Sequence, residues 1–209
     1  MATMQAVRFH SYGGPEVLVL EEAPRPRVGA GEALVRVHAA GVNPLDWKVR
    51  DGHAKAWLKH QLPLIPGWDV SGVVEEVATD VTAFKTGDAV YGMLDFMRDG
   101  AYADYVVSHT THLAYKPKSI DHVRAGAVPL TSLTAWQSLF DVAKLESGQT
   151  VLIHAASGGV GHFAVQFAKW EGARVIGTTS AGNEDFVCEL GAHEVIDYRT
   201  TRFEEAEGC

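Results

Sequence analysis

Cysteine is nearly absent from this 209-residue chain: Cys188 and Cys209 are the only two, one inside a predicted helix and one at the chain end, too few for a disulfide framework. Long apolar runs are absent too. No stretch approaches the roughly 18 to 20 residues that a membrane-spanning helix needs, and the opening MATMQAVRFHSYGG lacks the apolar core of a secretory signal. There is no basic surplus: 18 Lys and Arg against 26 Asp and Glu leave a net charge of −8 with no run of like charge, which disfavours nucleic acid or an anionic membrane as principal partner. Internal repeats and low-complexity segments are missing as well. The hydrophobic content of 46% is ordinary for a globular chain and argues against disorder, so the expectation is a folded, cytoplasmic protein.

What is present falls into two regions. Up to about residue 115 the sequence reads as short strands. MQAVRFH, EVLVLEE and ALVRVHAAG, then DVSGVVEEVA, AVYGML and AYADYVVS, carry alternating or β-branched apolar residues, punctuated by Gly13-Gly14-Pro15, Pro24 to Gly31 and Lys85-Thr86-Gly87-Asp88. The pattern predicts a mostly β domain, a partly open barrel. One interruption, NPLDWKVRDG from Asn43 to Gly52, has a proline in its first turn and a glycine at its end, and predicts a short helix directly after a strand. From Asp121, apolar residues in HVRAGAVPLTSLTAWQSLFDVA recur at helical spacing, with a break or kink expected at Pro129. Strand and helix then alternate through TVLIHAA, GVGHFAVQFAKWEG closing at Gly172, ARVIGTTS, NEDFVCELG and HEVIDY, as in a parallel sheet with crossover helices. The expected architecture is a β domain over 1–125 followed by an α/β domain over 126–209.

The turn HAASGGVG, His154 to Gly161, lacks the first glycine of the dinucleotide fingerprint G-x-G-x-x-G, with Ala156 in its place. A glycine-rich turn can simply reverse a chain, but this one lies within a βαβ unit, which favours dinucleotide binding. Gly158 lets the backbone approach a pyrophosphate and Gly161 lets helix and strand pack closely. The helix opening through Gly159 and Val160 offers free N–H groups and a partial positive charge. A second absence bears on the cofactor. An acidic residue at the end of the next strand would bind the ribose hydroxyls of NAD, but Gly177-Thr178-Thr179-Ser180 stands there. With no carboxylate to repel a 2′-phosphate, NADPH is the expected cofactor, and Thr178 and Ser180 are candidate hydroxyl donors. No Lys or Arg lies between Arg174 and Arg199, so Tyr198 and Arg199 are left to supply further phosphate contacts.

Together NPLDWKVRDG, PLIPGWDVSGVV, GDAVYGM, GAYADYVV, AVPLTSLTAWQSLF, LIHAASGGVGHFAVQFAK and LGAHEVIDY resemble the zinc-independent quinone oxidoreductases and alkenal reductases of the medium-chain dehydrogenase/reductase superfamily. The resemblance runs in order from about residue 4 to about residue 203. It implies a GroES-like, partly open β-barrel domain followed by a Rossmann domain. It also implies that Gly158, Gly159, Val160 and Gly161, with Ala156 of the variant loop, lie at the pyrophosphate, and that Thr134 lies near the nicotinamide. Ser180 and Tyr198 fall at the adenosine 2′-phosphate, and Asn43 beside the reacting ring.

The zinc branch of that superfamily needs a catalytic Cys, a His-Glu pair and a four-cysteine loop. Here Asn43 stands where the Cys would be and Trp68-Asp69 where His-Glu would be, and none of the ten histidines shows metal-motif spacing, so no metal is expected. Hydride transfer from NADPH to a quinone or an α,β-unsaturated carbonyl is then the implied reaction, with the protein orienting the acceptor and donating a hydrogen bond to its oxygen. Asn43 is the first candidate for that donor and Lys48 the second. Asn43 before Pro44 also suits a plain N-cap, and Asp46 a first-turn acid favoured by the helix dipole. Trp47, Trp57 and Trp68 suit either an apolar acceptor pocket or core packing, and Cys188 reads as a buried helix residue.

A doubly wound sheet has about six strands, and this sequence ends shortly after its third. At about 30 residues per βαβ unit, roughly 100 residues are wanting, so the Rossmann domain is expected to be incomplete, with an exposed parallel edge that a homodimer can cover. Two functions follow: an NADPH-dependent reductase of quinones or enones, or a non-catalytic cofactor-binding module or remnant that acts through a partner.

Overall fold

The computed structural model describes residues 2–205, so Cys209 lies outside the described residues. The chain divides after Leu130 into two units.

The first unit is built from antiparallel strands. β1 (Thr3–Phe9) and β2 (Leu18–Pro24) pair over their whole length, from Thr3 opposite Pro24 to Phe9 opposite Leu18. β3 (Glu32–Gly41), β4 (Asp69–Val77), β5 (Ala89–Met93), β6 (Tyr105–His109) and β7 (Leu113–Tyr115) form a second sheet in the order β6-β3-β4-β5-β7. Register shifts between Leu34 and Val35 and between Val37 and Ala39 mark irregularities where β3 meets β4, the kind of feature that bends strands into a curved, partly closed sheet. Single bridges from Ala6 to Ala103 and from Phe9 to Leu64 join β1 to the loops of this unit. The core is Phe9, Val35, Trp68, Val70, Val90 and Leu94, all at most 2% exposed, which accounts for the alternating apolar pattern of these strands. The segment AYAD does not extend β6, because the Ala101 and Tyr102 N–H groups go to the Gly67 and Pro66 carbonyls instead.

Two helices interrupt the strands. α1 (Pro44–Arg50) follows β3 by two residues, with Asn43 as N-cap, Pro44 in its first turn and Lys48 and Arg50 in its last, each favourable at its end of the helix dipole. α2 (His122–Gly126) is capped by the Asp121 side chain on the Arg124 N–H. The expected break at Pro129 is a new start: α3 (Pro129–Trp136) begins there, carries the chain into the second unit and runs on as a π-helical turn, Gln137–Val142.

The second unit is a parallel sheet of β8 (Thr150–Ile153), β9 (Arg174–Thr179) and β10 (Glu194–Asp197) in the order β10-β9-β8. α4 (Gly159–Glu171) and α5 (Glu184–Leu190) are the crossovers. β9 is central and buried from Val175 to Thr179, which is why its sequence runs apolar without alternation. β8 pairs with no second strand among the described residues, so its outer edge is open. Cys188 corrects one expectation. It is exposed, because Val187 points into the core and its neighbour on α5 is turned about 100° away.

Candidate functional site

Two sets of residues, one in each unit, carry chemistry. In the first unit, Gly41 ends β3 and Asn43 opens α1, 5% exposed and in extended conformation. The Asn43 N–H donates to Asp46 Oδ2 at 2.6 Å, one half of a capping box. Its side-chain Nδ2 donates to Asp69 Oδ2 at 2.9 Å. Asp69 is the first residue of β4 and fully buried, and its other oxygen, Oδ1, accepts the Leu130 N–H at 2.8 Å, in the first turn of α3. The Tyr102 hydroxyl donates to Asp46 Oδ2 at 3.0 Å.

Two carboxylates thus share a small buried volume. Burial pushes the Asp69 carboxyl from 3.8 up to about 6, against the pull of its hydrogen bonds from Asn43 and Leu130 and with the Asp46 charge adding to the rise. Burial raises Asp46 as well, opposed by the Asn43 N–H, the Tyr102 hydroxyl and the Trp68 backbone N–H. That Trp68 N–H lies near enough to favour the ionised form but not in normal hydrogen-bond geometry, and Asp46 Oδ1 is buried without a partner. Burial raises the Tyr102 phenol too, with Asp46 the next cause, so Tyr102 stays protonated and donating. Gly41 makes the space: a Cβ there would lie 2.5 Å from the Gly126 carbonyl oxygen, 2.9 Å from Asp69 Cβ and 3.1 Å from Asp69 Oδ2.

Of the residues singled out in this unit, Asn43 lies in the cluster and Lys48 does not. Lys48 is on the exposed face of α1 with its ammonium 5.6 Å from the Trp47 ring centre. Trp68 is a core residue whose Nε1 donates to the Arg98 carbonyl, whereas Trp47 and Trp57 are 41% and 75% exposed. Tyr102 was not legible as a site residue: it precedes β6 in an irregular stretch and no spacing relates it to Asp46.

In the second unit the turn between β8 and α4 is set by backbone. Ala155 takes a left-handed φ of 50°, Gly158 donates its N–H to the Ala155 carbonyl at 2.8 Å, and α4 begins at Gly159. A side chain on Gly161 would collide with that same carbonyl oxygen and lie 2.8 Å from Ala156 Cα, so glycine is needed there for close approach. Ala156 is fully buried, and its methyl is accommodated because residue 177 on β9 is glycine: a Cβ at Gly177 would sit 2.9 Å from it. A cavity of about 360 Å³ lies beside the loop, lined by Gly158 to Gly161 together with Ala135, Leu139 and Ile153 among others.

Of the remaining expected positions, Thr178, Ser180 and Tyr198 lie at or just beyond the C-terminal ends of β9 and β10. Thr178 is buried, and its Oγ1 takes the Ala155 N–H at 3.3 Å, so it braces the loop from behind. Ser180 is half-buried at the strand end, where its Oγ accepts from Asn183 Nδ2. Tyr198 is 59% exposed, its N–H on the Thr179 carbonyl. Val160 packs partly buried on the core of this unit. Thr134 lies on the exposed side of α3 beside buried Ala135. A pair not anticipated, Ser157 Oγ and Thr179 Oγ1 at 2.7 Å, ties the loop to β9. Among the described residues no group of three or more His, Cys, Asp or Glu could hold a metal ion, and no helix is long and apolar enough to cross a membrane.

Residues 29–118 match the family of alcohol dehydrogenase GroES-like domains, and residues 159–207 match the zinc-binding dehydrogenase family. A quinone-oxidoreductase homolog, chloroplastic, of Spinacia oleracea is 40% identical over 203 residues, which are 94% of this chain and 62% of that protein. The solved quinone oxidoreductase of Coxiella burnetii superposes with a TM-score of 0.89 at 38% identity, covering 97% of this chain and 65% of the other. A mycobacterial protein solved in complex with NADPH superposes with a TM-score of 0.82 at 35% identity, covering 93% and 58%. The chain spans 60 to 62% of the length of the curated relatives it matches.

Proposed function

Because the chain belongs to the medium-chain dehydrogenase/reductase superfamily, among the quinone oxidoreductases, we propose that it serves NADPH-dependent reduction of a quinone or an α,β-unsaturated carbonyl without zinc. The observation that carries this reading is the loop Gly158 to Gly161 at the head of α4, where the first-turn N–H groups of Gly159, Val160 and Gly161 have no acceptor within the helix and Gly158 and Gly159 carry no side chain to keep a pyrophosphate away. NADPH, when bound, supplies the hydride. Ser180 and Tyr198, at the ends of β9 and beyond β10, meet the 2′-phosphate, and no carboxylate within Gly177 to Ser180 opposes it. Asn43 donates a hydrogen bond to the acceptor oxygen as negative charge develops there. Asn43 and Trp68-Asp69 stand at the positions of zinc ligands in the metal-dependent branch; Asn43 Nδ2 is bonded to Asp69 and the Trp68 indole is in the core, a donor set that does not suit zinc.

The second reading, which rests on the loop of the second unit alone, is a cofactor-binding module without turnover of its own. Fluorescence titration with NADPH and with NADH, followed by addition of a quinone and of an enone, separates the two. Tight NADPH binding with oxidation on adding acceptor supports the reductase; binding without oxidation supports the module; no binding at millimolar cofactor ends both.

A further inference from the structure

The Asn43 side chain is held from one side by a carboxylate that also holds another element. Asp69 Oδ2 accepts from Asn43 Nδ2 at 2.9 Å and Asp69 Oδ1 accepts from the Leu130 N–H at 2.8 Å, with Asp69 wholly buried. An ionised carboxylate only accepts, so the amide of Asn43 has one permitted orientation, nitrogen towards Asp69. One of its two N–H bonds is then used and the other remains to donate. The capping box holds the other end of the amide, whose oxygen accepts from the Asp46 backbone N–H, so the amide keeps its orientation when Asp69 is protonated, but a neutral carboxyl accepts more weakly and the bond to Asp69 loosens.

We propose that Asp69 is a positioning residue for Asn43: in its ionised form it holds the amide nitrogen inward, fixing Asn43 as a hydrogen-bond donor and tying it to the first turn of α3, and on taking up a proton it weakens that hold. The proposal deepens the reductase reading and rests on it for its catalytic meaning. The titratable groups facing Asp69 are Asp46 from α1 and, further off, Tyr102 from the segment before β6. The paired strands bring Gly41 and Met93 opposite it, neither of them ionisable. Burial and the Asp46 charge put the Asp69 proton near neutrality, at about 6, so the tight and loosened states exchange within an accessible range of pH.

The chain has only two asparagines, Asn43 and Asn183, which makes the test direct. With asparagine labelled by nitrogen-15, the side-chain amide signals of the full chain are followed from pH 8 to pH 5, with Asn183→Gln providing the assignment. The expected result is one step in both Asn43 protons, centred near pH 6, with the Asn183 signals flat through that range. In Asp69→Asn the step disappears, and exchange of the Asn43 amide with water quickens by about tenfold, as follows from losing a charge-assisted bond. In Asp46→Asn the step persists and moves to lower pH, because a neighbouring negative charge is gone. Absence of the step in the unaltered chain, its survival in Asp69→Asn, or its loss in Asp46→Asn would overturn the proposal. None of these readouts needs cofactor or acceptor, so a chain that shows the step and reduces nothing sinks the reductase reading and leaves the positioning role standing.

Discussion

The two units build their sites from opposite materials. The first has a closed cluster of side chains, Asn43, Asp46, Asp69 and Tyr102, each orienting the next. The second has an open loop whose key features are side chains that are not there. Each nonetheless depends on a glycine chosen for space. Gly41 makes room for a carboxylate and Gly161 lets a helix press on the turn before it. A polar cluster is thus specified by which residues are present, and a phosphate cradle by which atoms are absent.

Adding one methyl at each place is the strongest way to break that comparison. In Gly161→Ala the new Cβ meets the Ala155 carbonyl, a backbone atom that cannot swing aside. A cost of about 1–3 kcal/mol is expected for such overpacking. NADPH affinity should fall by about 100-fold, or about 2.7 kcal/mol, because the cradle itself shifts. In Gly41→Ala the methyl lies 2.5 Å from the Gly126 carbonyl oxygen and 2.9 Å from Asp69 Cβ, so a similar loss of stability is expected with NADPH affinity within about twofold of the original. Thermal melts and cofactor titrations of both variants check this; equal losses of affinity would mean that the two sites are not independent.

The pH dependence of stability sharpens the contrast, since the first unit carries a carboxyl pushed far upward by burial. Asp69 binds its proton more tightly folded, at about 6, than unfolded, at 3.8. Between these values the folded state holds the extra proton, so this group's contribution to stability grows as pH falls from about 6 towards 3.8 and is constant above. The span corresponds to on the order of 3 kcal/mol. Urea unfolding at pH 7.5 and pH 4.5 should therefore show a pH dependence in the unaltered chain that Asp69→Asn reduces, Asp46 being raised in the same direction, and equal dependence in the two proteins would contradict the buried-acid assignment.

The second unit was the more legible in the sequence. Buried-type strands, amphipathic helices and their glycine ends, such as Gly172 with a φ of 87°, are local patterns and lie where the periodicity put them. In the first unit the strands were readable but their pairing was not, because β6 lies beside β3 and β7 beside β5, contacts that no local pattern encodes. Asn43 and Asp46 were visible as a cap. Their meeting with Asp69 and Tyr102 was not, because it depends on residues 26 and 56 positions away. Cys188 failed for a simpler reason: on a seven-residue helix a step of one position turns about 100°, enough to carry a side chain from the core face to solvent.

A smaller effect concerns the missing first glycine of the loop. Ala156 and Gly177 share one space, so Gly177→Ala alone places methyl groups 2.9 Å apart, with Val187 Cγ1 at 3.0 Å, and should cost about 1–2 kcal/mol. Combining it with Ala156→Gly moves the methyl from turn to strand and should recover about 0.5–1 kcal/mol of that loss. Strict additivity in the double-mutant cycle would show that the alanine is not accommodated by the strand glycine.

The smallest effect is expected at Lys48. Its exposed ammonium has the Trp47 ring as its neighbour, at 5.6 Å, a geometry worth about 0.5–1 kcal/mol at a surface site. Lys48→Ala should therefore lower stability by at most about 1 kcal/mol and leave the Asn43 amide signals unmoved. Asn43→Ala, by contrast, removes a helix cap worth about 1 kcal/mol and leaves the Asp69 carboxylate short of a donor in a buried place. If Lys48→Ala instead perturbs the Asp69 titration step, the lysine reaches the cluster in solution, and the separation between an inward amide and an outward ammonium on α1 fails.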